Sequence, residues 1–363
     1  MSSFSREELA RYNRHIILPS FGLEAQQKLN AARVLVVGAG GLGSPLLLYL
    51  AAAGVGTIGI IDADLVDDSN LQRQVLFSVN DIGKPKAEVA KEKLAALNPH
   101  INLIAYNSRL STANALDIVA EYDIVADGTD NFPTRYLVND ACVICGKPNV
   151  FASVFQFEGQ LSVFNYNSGP NYRDLYPAPP AHGIIPDCAT GGVLGVLPGI
   201  IGSLQALEVI KLITGVGEPL SGKFYIFDAL RFESRTFRIE SKGTIVKELI
   251  DYEAFCGTKN INEYMKEITP RQLREWEKSG KAFQLIDVRE PNEYEEANIG
   301  AELIPLATVS QNADRIRTDI DVVVHCRSGA RSAKAINELE KKGFKNLFNL
   351  KGGILAYMEE AGK

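Results

Sequence analysis

Short apolar runs alternate with helix-length segments through the first half of the chain. A helix is expected over 6–15. Residues 34–37, Val-Leu-Val-Val, read as a strand, followed by a glycine-rich turn and a helix over 45–53. Further strands are expected at 57–61, 101–106 and 123–126, with a helix over 84–97 that Asn98-Pro99 stops. Strand–helix units repeated in this order predict an α/β domain with a doubly wound, mostly parallel sheet.

After Asn149 the pattern changes. Residues 150–157 and 161–166 look like a hairpin around Glu158-Gly159-Gln160. The segment 168–186 holds five prolines and is expected to be an exposed loop without helix. Residues 193–214 read as a buried apolar helix broken near Pro198, and 224–227 and 235–239 as late strands. Residues 241–263 look like a linker. A second, smaller α/β pattern begins near Ile268, with strands at 285–288, 322–325 and 347–350 and a helix over 332–342. No internal repeat is visible.

A length of 363 residues allows two or three domains, and 46% apolar with 23% charged residues is a globular balance. A net charge of −6 leaves no basic footprint, so direct nucleic-acid binding is not expected. The polar, acidic start is unlike a signal peptide. Residues 34–61 and 189–207 lack charge, but both carry glycines and a proline. They read as buried strand, loop and helix, and no membrane association is expected. Five scattered cysteines make no disulfide framework, which suits a reducing cytoplasm.

Candidate chemistry begins at Gly38-Ala39-Gly40-Gly41-Leu42-Gly43, between a strand and a helix. Glycines there permit a tight turn and let phosphate oxygens approach backbone N–H groups at a helix N-terminus. Asp62 ends the next strand, where a carboxylate can accept both ribose hydroxyls. This much fits NAD as well as ATP, and alone it would favour a dehydrogenase. More motifs follow in order: Asp62-Ala63-Asp64, the run Ser69-Asn70-Leu71-Gln72-Arg73-Gln74, Gly83-Lys84-Pro85-Lys86-Ala87, and Gly128-Thr129-Asp130-Asn131. Arg11-Tyr12-Asn13-Arg14-His15 precedes them all.

Together these motifs resemble the ubiquitin-activating (E1-like) superfamily, over roughly residues 5–240, and within it the adenylyltransferases that serve molybdopterin and thiamin synthesis. The resemblance implies a Rossmann-like ATP-binding domain that adenylates the C-terminal Gly-Gly carboxylate of a ubiquitin-like sulfur-carrier protein. It places Gly38, Gly40, Gly41, Gly43, Asp62, Asn70, Arg73, Lys86, Asp130 and Asn131 at the nucleotide. The chemistry asks for such residues. A carboxylate must attack the α-phosphate and expel pyrophosphate against the charge of the triphosphate, and Arg73, Lys86 and a metal can neutralise that charge. Asp130 suits Mg²⁺, which takes one or two carboxylates plus phosphate oxygens. Taken singly, Lys86 and Arg73 would pass for solvated surface charges and Asp130 for a helix cap. In the family, the arginine matching Arg14 reaches the phosphates of the neighbouring subunit, which implies a homodimer.

Cys188 precedes a buried helix, where a thiol pKa can be lowered. Family members carry a cysteine here that bonds to the carrier or takes part in sulfur transfer; a small buried hydrophobe is the alternative reading. Many relatives bind a structural zinc through two Cys-x-x-Cys pairs. The first pair should fall near Asn171-Tyr172-Arg173-Asp174, which has no cysteine, and the second after the strand near Ile239, where Cys256 stands alone. No zinc is expected. Cys142 and Cys145 have the spacing but lie on an apolar helix, and read as core.

From about 265 the chain resembles a rhodanese domain, through Leu285-Ile286-Asp287-Val288-Arg289-Glu290, His325-Cys326-Arg327-Ser328-Gly329-Ala330-Arg331-Ser332 and Lys351-Gly352-Gly353-Ile354. A cysteine between an apolar strand and a helix is a thiolate cradle: loop N–H groups converge on the sulfur and the helix dipole favours its charge. Arg327 and Arg331 add positive potential, so Cys326 is expected to carry a persulfide in the loop of Arg327, Ser328, Gly329, Ala330 and Arg331. A phosphatase loop is the related alternative, but six residues from Cys326 to Arg331 is the rhodanese length. The family often has a histidine before its Ile-x-Gly-Ala stretch, where Ala297 stands here. His325 reads as packed.

The expected organisation is an adenylation domain over 1–245, a linker over 246–264 and a sulfurtransferase domain over 265–363. The resemblance implies a sulfur donor, either thiosulfate or the persulfide of a cysteine desulfurase. Two rivals are an NAD-dependent oxidoreductase and a non-catalytic docking scaffold; retention of Arg73, Lys86, Asp130 and Cys326 argues against the second.

Overall fold

The computed structural model describes residues 4–180, 192–257, 265–340 and 342–361. The chain divides into two compact units, Met1–Lys259 and Asn260–Lys363.

In the first unit, helices α1 (Arg6–Ile16) and α2 (Gly22–Ala31) lead into β1 (Arg33–Val37), α3 (Gly43–Ala53), β2 (Thr57–Ile61), α4 (Lys86–Leu97) and β3 (Asn102–Tyr106). Then come α5 (Ala115–Ala120), β4 (Ile124–Asp127), α6 (Phe132–Cys145), β5 (Asn149–Phe155), β6 (Glu158–Phe164) and α7 (Tyr172–Leu175). The unit closes with α8 (Leu197–Thr214), β7 (Lys223–Asp228), β8 (Glu233–Arg238) and α9 (Tyr252–Phe255). The sheet order is β3-β2-β1-β4-β5-β6-β7-β8, parallel as far as β5 and antiparallel beyond it. β1 is apolar throughout its interior because it is covered on both faces. Val34 and Val36 pack with Leu46 and Leu50 of α3 and Val209 of α8, whereas Leu35 and Val37 pack with Val119 of α5 and Leu137 and Ala141 of α6. This is the doubly wound, mostly parallel sheet that the alternation predicts.

Several local elements differ from those the sequence pattern predicts. The hairpin turns at Gln156-Phe157, since Phe155 already pairs with Glu158. Gly159 lies inside β6 because a Cβ there would come within 2.3 Å of Ile201; it is a packing glycine. The proline-rich stretch contains α7, started by an Asn171–Asp174 capping box and burying Tyr172. Pro198 opens α8 instead of breaking it, as proline in a first turn loses no hydrogen bond. By length and composition α8 could cross a membrane, but Leu197, Ile201, Ala206 and Val209 bury it against the sheet. Finally, the stretch 241–263 read as a linker is packed in part, for Tyr252 and Cys256 are buried in the first unit's core.

The second unit holds β9 (Lys266–Ile268), α10 (Pro270–Ser279), β10 (Phe283–Asp287), α11 (Pro291–Glu296), β11 (Glu302–Leu303) and β12 (Asp321–His325). It ends with α12 (Ala330–Glu340), β13 (Leu347–Leu350) and α13 (Gly353–Ala361). Its sheet, in the order β11-β10-β12-β13-β9, is parallel throughout. Its core residues come from the same unit.

Candidate active sites

The C-terminal ends of β1, β2 and β4 meet where the strand order reverses, the place where open α/β sheets bind ligands. A cleft of ≈ 510 Å³ lies there. Gly38 turns at φ +92°, and its N–H donates to the Ile61 carbonyl at 2.9 Å. Asp62 then fixes the turn: one carboxylate oxygen accepts from the Ala39 N–H and the other from the Asp64 N–H, both at 2.8 Å. Burial pushes the Asp62 carboxyl above its ordinary value, and those two N–H groups oppose the shift. Each oxygen keeps a lone pair for a ribose hydroxyl. At Gly43 a Cβ would stand 2.0 Å from the Gly38 carbonyl oxygen, so this glycine lets α3 close onto the turn.

Gly38, Gly40, Gly41, Asp62, Arg73, Lys86, Asp130 and Asn131 all line the cleft; Gly43, Asn70 and Arg14 do not. Lys86 is 4% exposed, with its ammonium 3.2 Å from the Asp64 carboxylate. Arg73 donates to the Ser69 carbonyl at 3.2 Å. Asn70 acts one step back: its carbonyl accepts from the N–H groups of Arg73 and Gln74 and shapes the turn that presents them. Arg14 lies exposed on α1. The cap of α6 is Asn131, which accepts from the Thr134 N–H at 3.0 Å, so the capping alternative does not apply to Asp130. That carboxylate sits exposed at the rim. One carboxylate beside a phosphate-sized space is a donor set that fits Mg²⁺.

The cleft is also lined by residues that the sequence does not mark as chemical. Asp64 and Gln74 stand inside the quoted motifs. Arg135 is buried on α6, between the rings of Phe132 and Phe151 at 5.6 and 5.7 Å, and donates to the Thr129 carbonyl at 3.1 Å. Behind it Asp127 is fully buried and accepts from both the N–H and the hydroxyl of Thr129. Burial pushes its carboxyl up, against the pull of Arg135. Glu253 of α9 completes one wall. Nothing in the local sequence around Arg135 or Glu253 marks them; only the fold brings them to the cleft.

Cys188 lies outside the described residues. Cys142 and Cys145 pack in the core between the sheet and α5–α6, and burial raises both thiols. Cys256 sits in the same apolar cluster, its thiol pushed up to about 11 by burial and then by Glu253. A lone buried thiol packed with Tyr172, beside a 171–174 segment that has no cysteine, does not fit a four-thiolate zinc centre.

In the second unit Cys326 follows β12 directly and is 1% exposed. The Gly329 N–H donates to its sulfur at 3.2 Å and the Ser332 hydroxyl at 3.5 Å. Burial opposes ionisation, but the Ser332 hydroxyl and the N–H groups of Ser332, Ser328 and Gly329 outweigh it, and the thiol is held below its ordinary value. Gly329 turns at φ +100°. Its carbonyl accepts from Ser332 at 3.0 Å and from the Asn349 amide at 3.2 Å. Ala330 opens α12. Gly353 passes beneath the loop, where a Cβ would meet the carbonyl oxygens of Cys326 and Arg327 at 2.5 Å. Arg327 is exposed. Arg331 does not offer the sulfur an unshared charge, because it donates twice to Glu293 of α11. His325 is fully buried, with its Nε2 3.7 Å from Asp287, and burial lowers its pKa, so it packs as a neutral ring.

A phosphate-ready turn with cations in one unit and a cradled thiolate in the other define an enzyme that joins nucleotide chemistry to sulfur chemistry. Residues 12–245 match the ThiF family and residues 269–360 the rhodanese-like domain, and the chain belongs to the ThiF family with a rhodanese-like domain behind it. The probable adenylyltransferase/sulfurtransferase MoeZ of Mycobacterium tuberculosis is 48% identical over 372 residues, 99% of this chain and 95% of its own. The sulfur carrier protein adenylyltransferase of Thermus thermophilus is 50% identical over 269 residues, 70% of this chain and 99% of its own. The crystal structure of E. coli MccB with ATP is 26% identical, with a TM-score of 0.57 over 68% of this chain and 73% of that one. The chain is thus an enzyme, an adenylyltransferase and sulfurtransferase, and not the dehydrogenase that the glycine turn alone would favour.

Proposed function

We propose that the first unit uses ATP and Mg²⁺ to adenylate the C-terminal Gly-Gly carboxylate of a ubiquitin-like sulfur carrier, and that Cys326 supplies the sulfur. The observation that carries this reading is Lys86: a lysine only 4% exposed opens onto the cleft that also holds the glycine turn, Arg73 and Asp130. A buried ammonium whose one ion pair is to the largely exposed Asp64 carboxylate, at 3.2 Å, suits a polyphosphate.

In this reading the carrier carboxylate attacks the α-phosphorus and pyrophosphate leaves, its charge met by Arg73 and Lys86. Mg²⁺, when bound through Asp130, would neutralise the phosphate oxygens. Arg14 contributes from the second subunit of a homodimer. The Cys326 thiolate attacks the outer sulfur of thiosulfate, releasing sulfite, or the outer sulfur of a cysteine desulfurase persulfide, releasing that enzyme's thiolate, and so becomes a persulfide. The terminal sulfur of its persulfide attacks the acyl carbon and AMP leaves. A thiol, Cys188 in this proposal, then attacks the Cys326 sulfur of the acyl disulfide and releases the carrier thiocarboxylate. The resulting protein disulfide requires an external thiol to reduce it. The work is divided between an adenylation domain, 1–245 with the start of the 246–264 segment packed into its core, and a sulfurtransferase domain over 265–363.

The test is exchange of labelled pyrophosphate into ATP, with and without a small protein ending in Gly-Gly. Carrier-dependent exchange is expected; its absence, with nucleotide binding intact, would reject the substrate class.

A further inference from the structure

The 171–174 segment and the 244–256 segment, where relatives would hold zinc, are fastened here by a different device. Asp140 of α6 is fully buried and accepts four hydrogen bonds. Two come from Arg173, at 2.8 and 2.7 Å, one from the Tyr252 hydroxyl at 2.7 Å and one from the Asn139 amide at 3.0 Å. A buried carboxylate is stable only when its lone pairs are filled in this way. The Arg173 guanidinium is in turn stacked against Tyr136, 5.1 Å from the ring centre, and Phe255, 4.8 Å away. A second tie lies next to it. Asp174 accepts from the Thr244 hydroxyl at 2.5 Å, and the Asn171 amide donates to the Thr244 carbonyl at 3.1 Å. Both ends of the returning segment are therefore held, one by Asp174 and one by Asp140.

The same helix that carries Asp140 begins at the cleft, immediately after Asp130 and Asn131. The returning segment carries Glu253, next to Tyr252, into the cleft wall. We infer that Arg173, Asp140 and Tyr252 form a metal-free clamp that replaces a zinc staple and seats α9, with Glu253, as one wall of the nucleotide cleft. They are positioning residues, acting through α9. The inference rests on reading the cleft as the nucleotide site, and binding of a non-hydrolysable ATP analogue by the unchanged protein checks that reading separately.

The experiment uses the full chain. Elemental analysis should find no stoichiometric zinc, and chelators should leave the melting temperature unchanged. Tyr252→Phe removes the charge-assisted hydrogen bond to Asp140 and the hydroxyl's contact with the Ile250 backbone N–H, and keeps the buried ring. It should lower the melting temperature of the first unit by about 4–10 °C, speed proteolysis between 241 and 257, and weaken the ATP analogue several-fold, with no recovery on adding zinc. Asp140→Asn keeps the shape but leaves Arg173 without its counter-charge, and should lose more on each measure. One zinc per chain with a chelator-sensitive melt would overturn the clamp, as would a Tyr252→Phe protein that melts and resists protease like the parent. A destabilised Tyr252→Phe protein that binds the analogue with full affinity would overturn the seating of the cleft wall.

Discussion

Arg331 donates through both terminal nitrogens to Glu293, at 2.6 and 2.7 Å. The cation next to the sulfur loop is thus shared with a carboxylate 38 residues earlier. The Arg331 hydrogen bonds hold the Glu293 carboxyl at about 2, against the opposing pull of burial. A depressed carboxyl stabilises the fold above its unfolded value of about 4.3, and that contribution fades as pH falls toward 2. Across neutral pH the pair is fully charged.

Replacing the carboxylate should therefore expose Arg331 to the sulfur. In Glu293→Gln, the pH profile of Cys326 alkylation by iodoacetamide should move to lower pH, by up to about one unit. A profile that stays in place would show that Arg331 has no electrostatic hold on the thiol.

Asp130→Ala should reduce carrier adenylation by about 10²-fold or more while leaving thiosulfate sulfurtransfer unchanged. Equal loss of both in a folded protein would argue against separate duties for the two units. Mixing this variant with Arg14→Ala should restore some adenylation if Arg14 serves the neighbouring subunit, since one hybrid site would be intact. No recovery after verified subunit exchange would count against a shared site.

Gly43→Ala drives a methyl group to 2.0 Å from the Gly38 carbonyl, a backbone atom that cannot swing aside. The overlap should cost about 1–3 kcal/mol of stability in the first unit and open the turn that receives phosphate. Calorimetric titration with an ATP analogue should show the loss of affinity, with sulfurtransfer by Cys326 serving as the internal control. Undiminished nucleotide binding would mean that the turn tolerates displacement.

In Cys326→Ser, adenylation should persist while thiocarboxylate formation fails. A serine hydroxyl stays protonated at neutral pH and cannot carry a persulfide, although it preserves the shape of the loop. Mass spectrometry of the carrier, with thiosulfate as donor, reads the exchange of oxygen for sulfur. Normal formation of that product would remove the second unit from the sulfur route.

Much of the fold is legible in the chain because strand-length apolar runs and helix stops are local signals. Residues 57–61 and 347–350 are read with the boundaries the structure has. Legibility fails where one residue type serves two purposes. Gly159 looks like a turn glycine, but it is small because Ile201 lies against it; Pro198 looks like a break, yet it starts a helix. The Cys326 loop and the glycine turn are contiguous in sequence, so their residues can be read together. Glu293, Asn349, Arg135 and Glu253 reach the sites from other elements, and only the packed chain reveals them.

Each unit buries a core of its own side chains. Heating should then produce two melting events instead of one cooperative transition. If the sulfurtransferase unit melts first, a warmed enzyme running the proposed reaction would go on consuming ATP to make an acyl-adenylate, a mixed anhydride that nothing sulfurates. If the adenylation unit melts first, the persulfide would form with no acceptor. Which unit gives way first thus decides whether heat stress wastes nucleotide or strands sulfur.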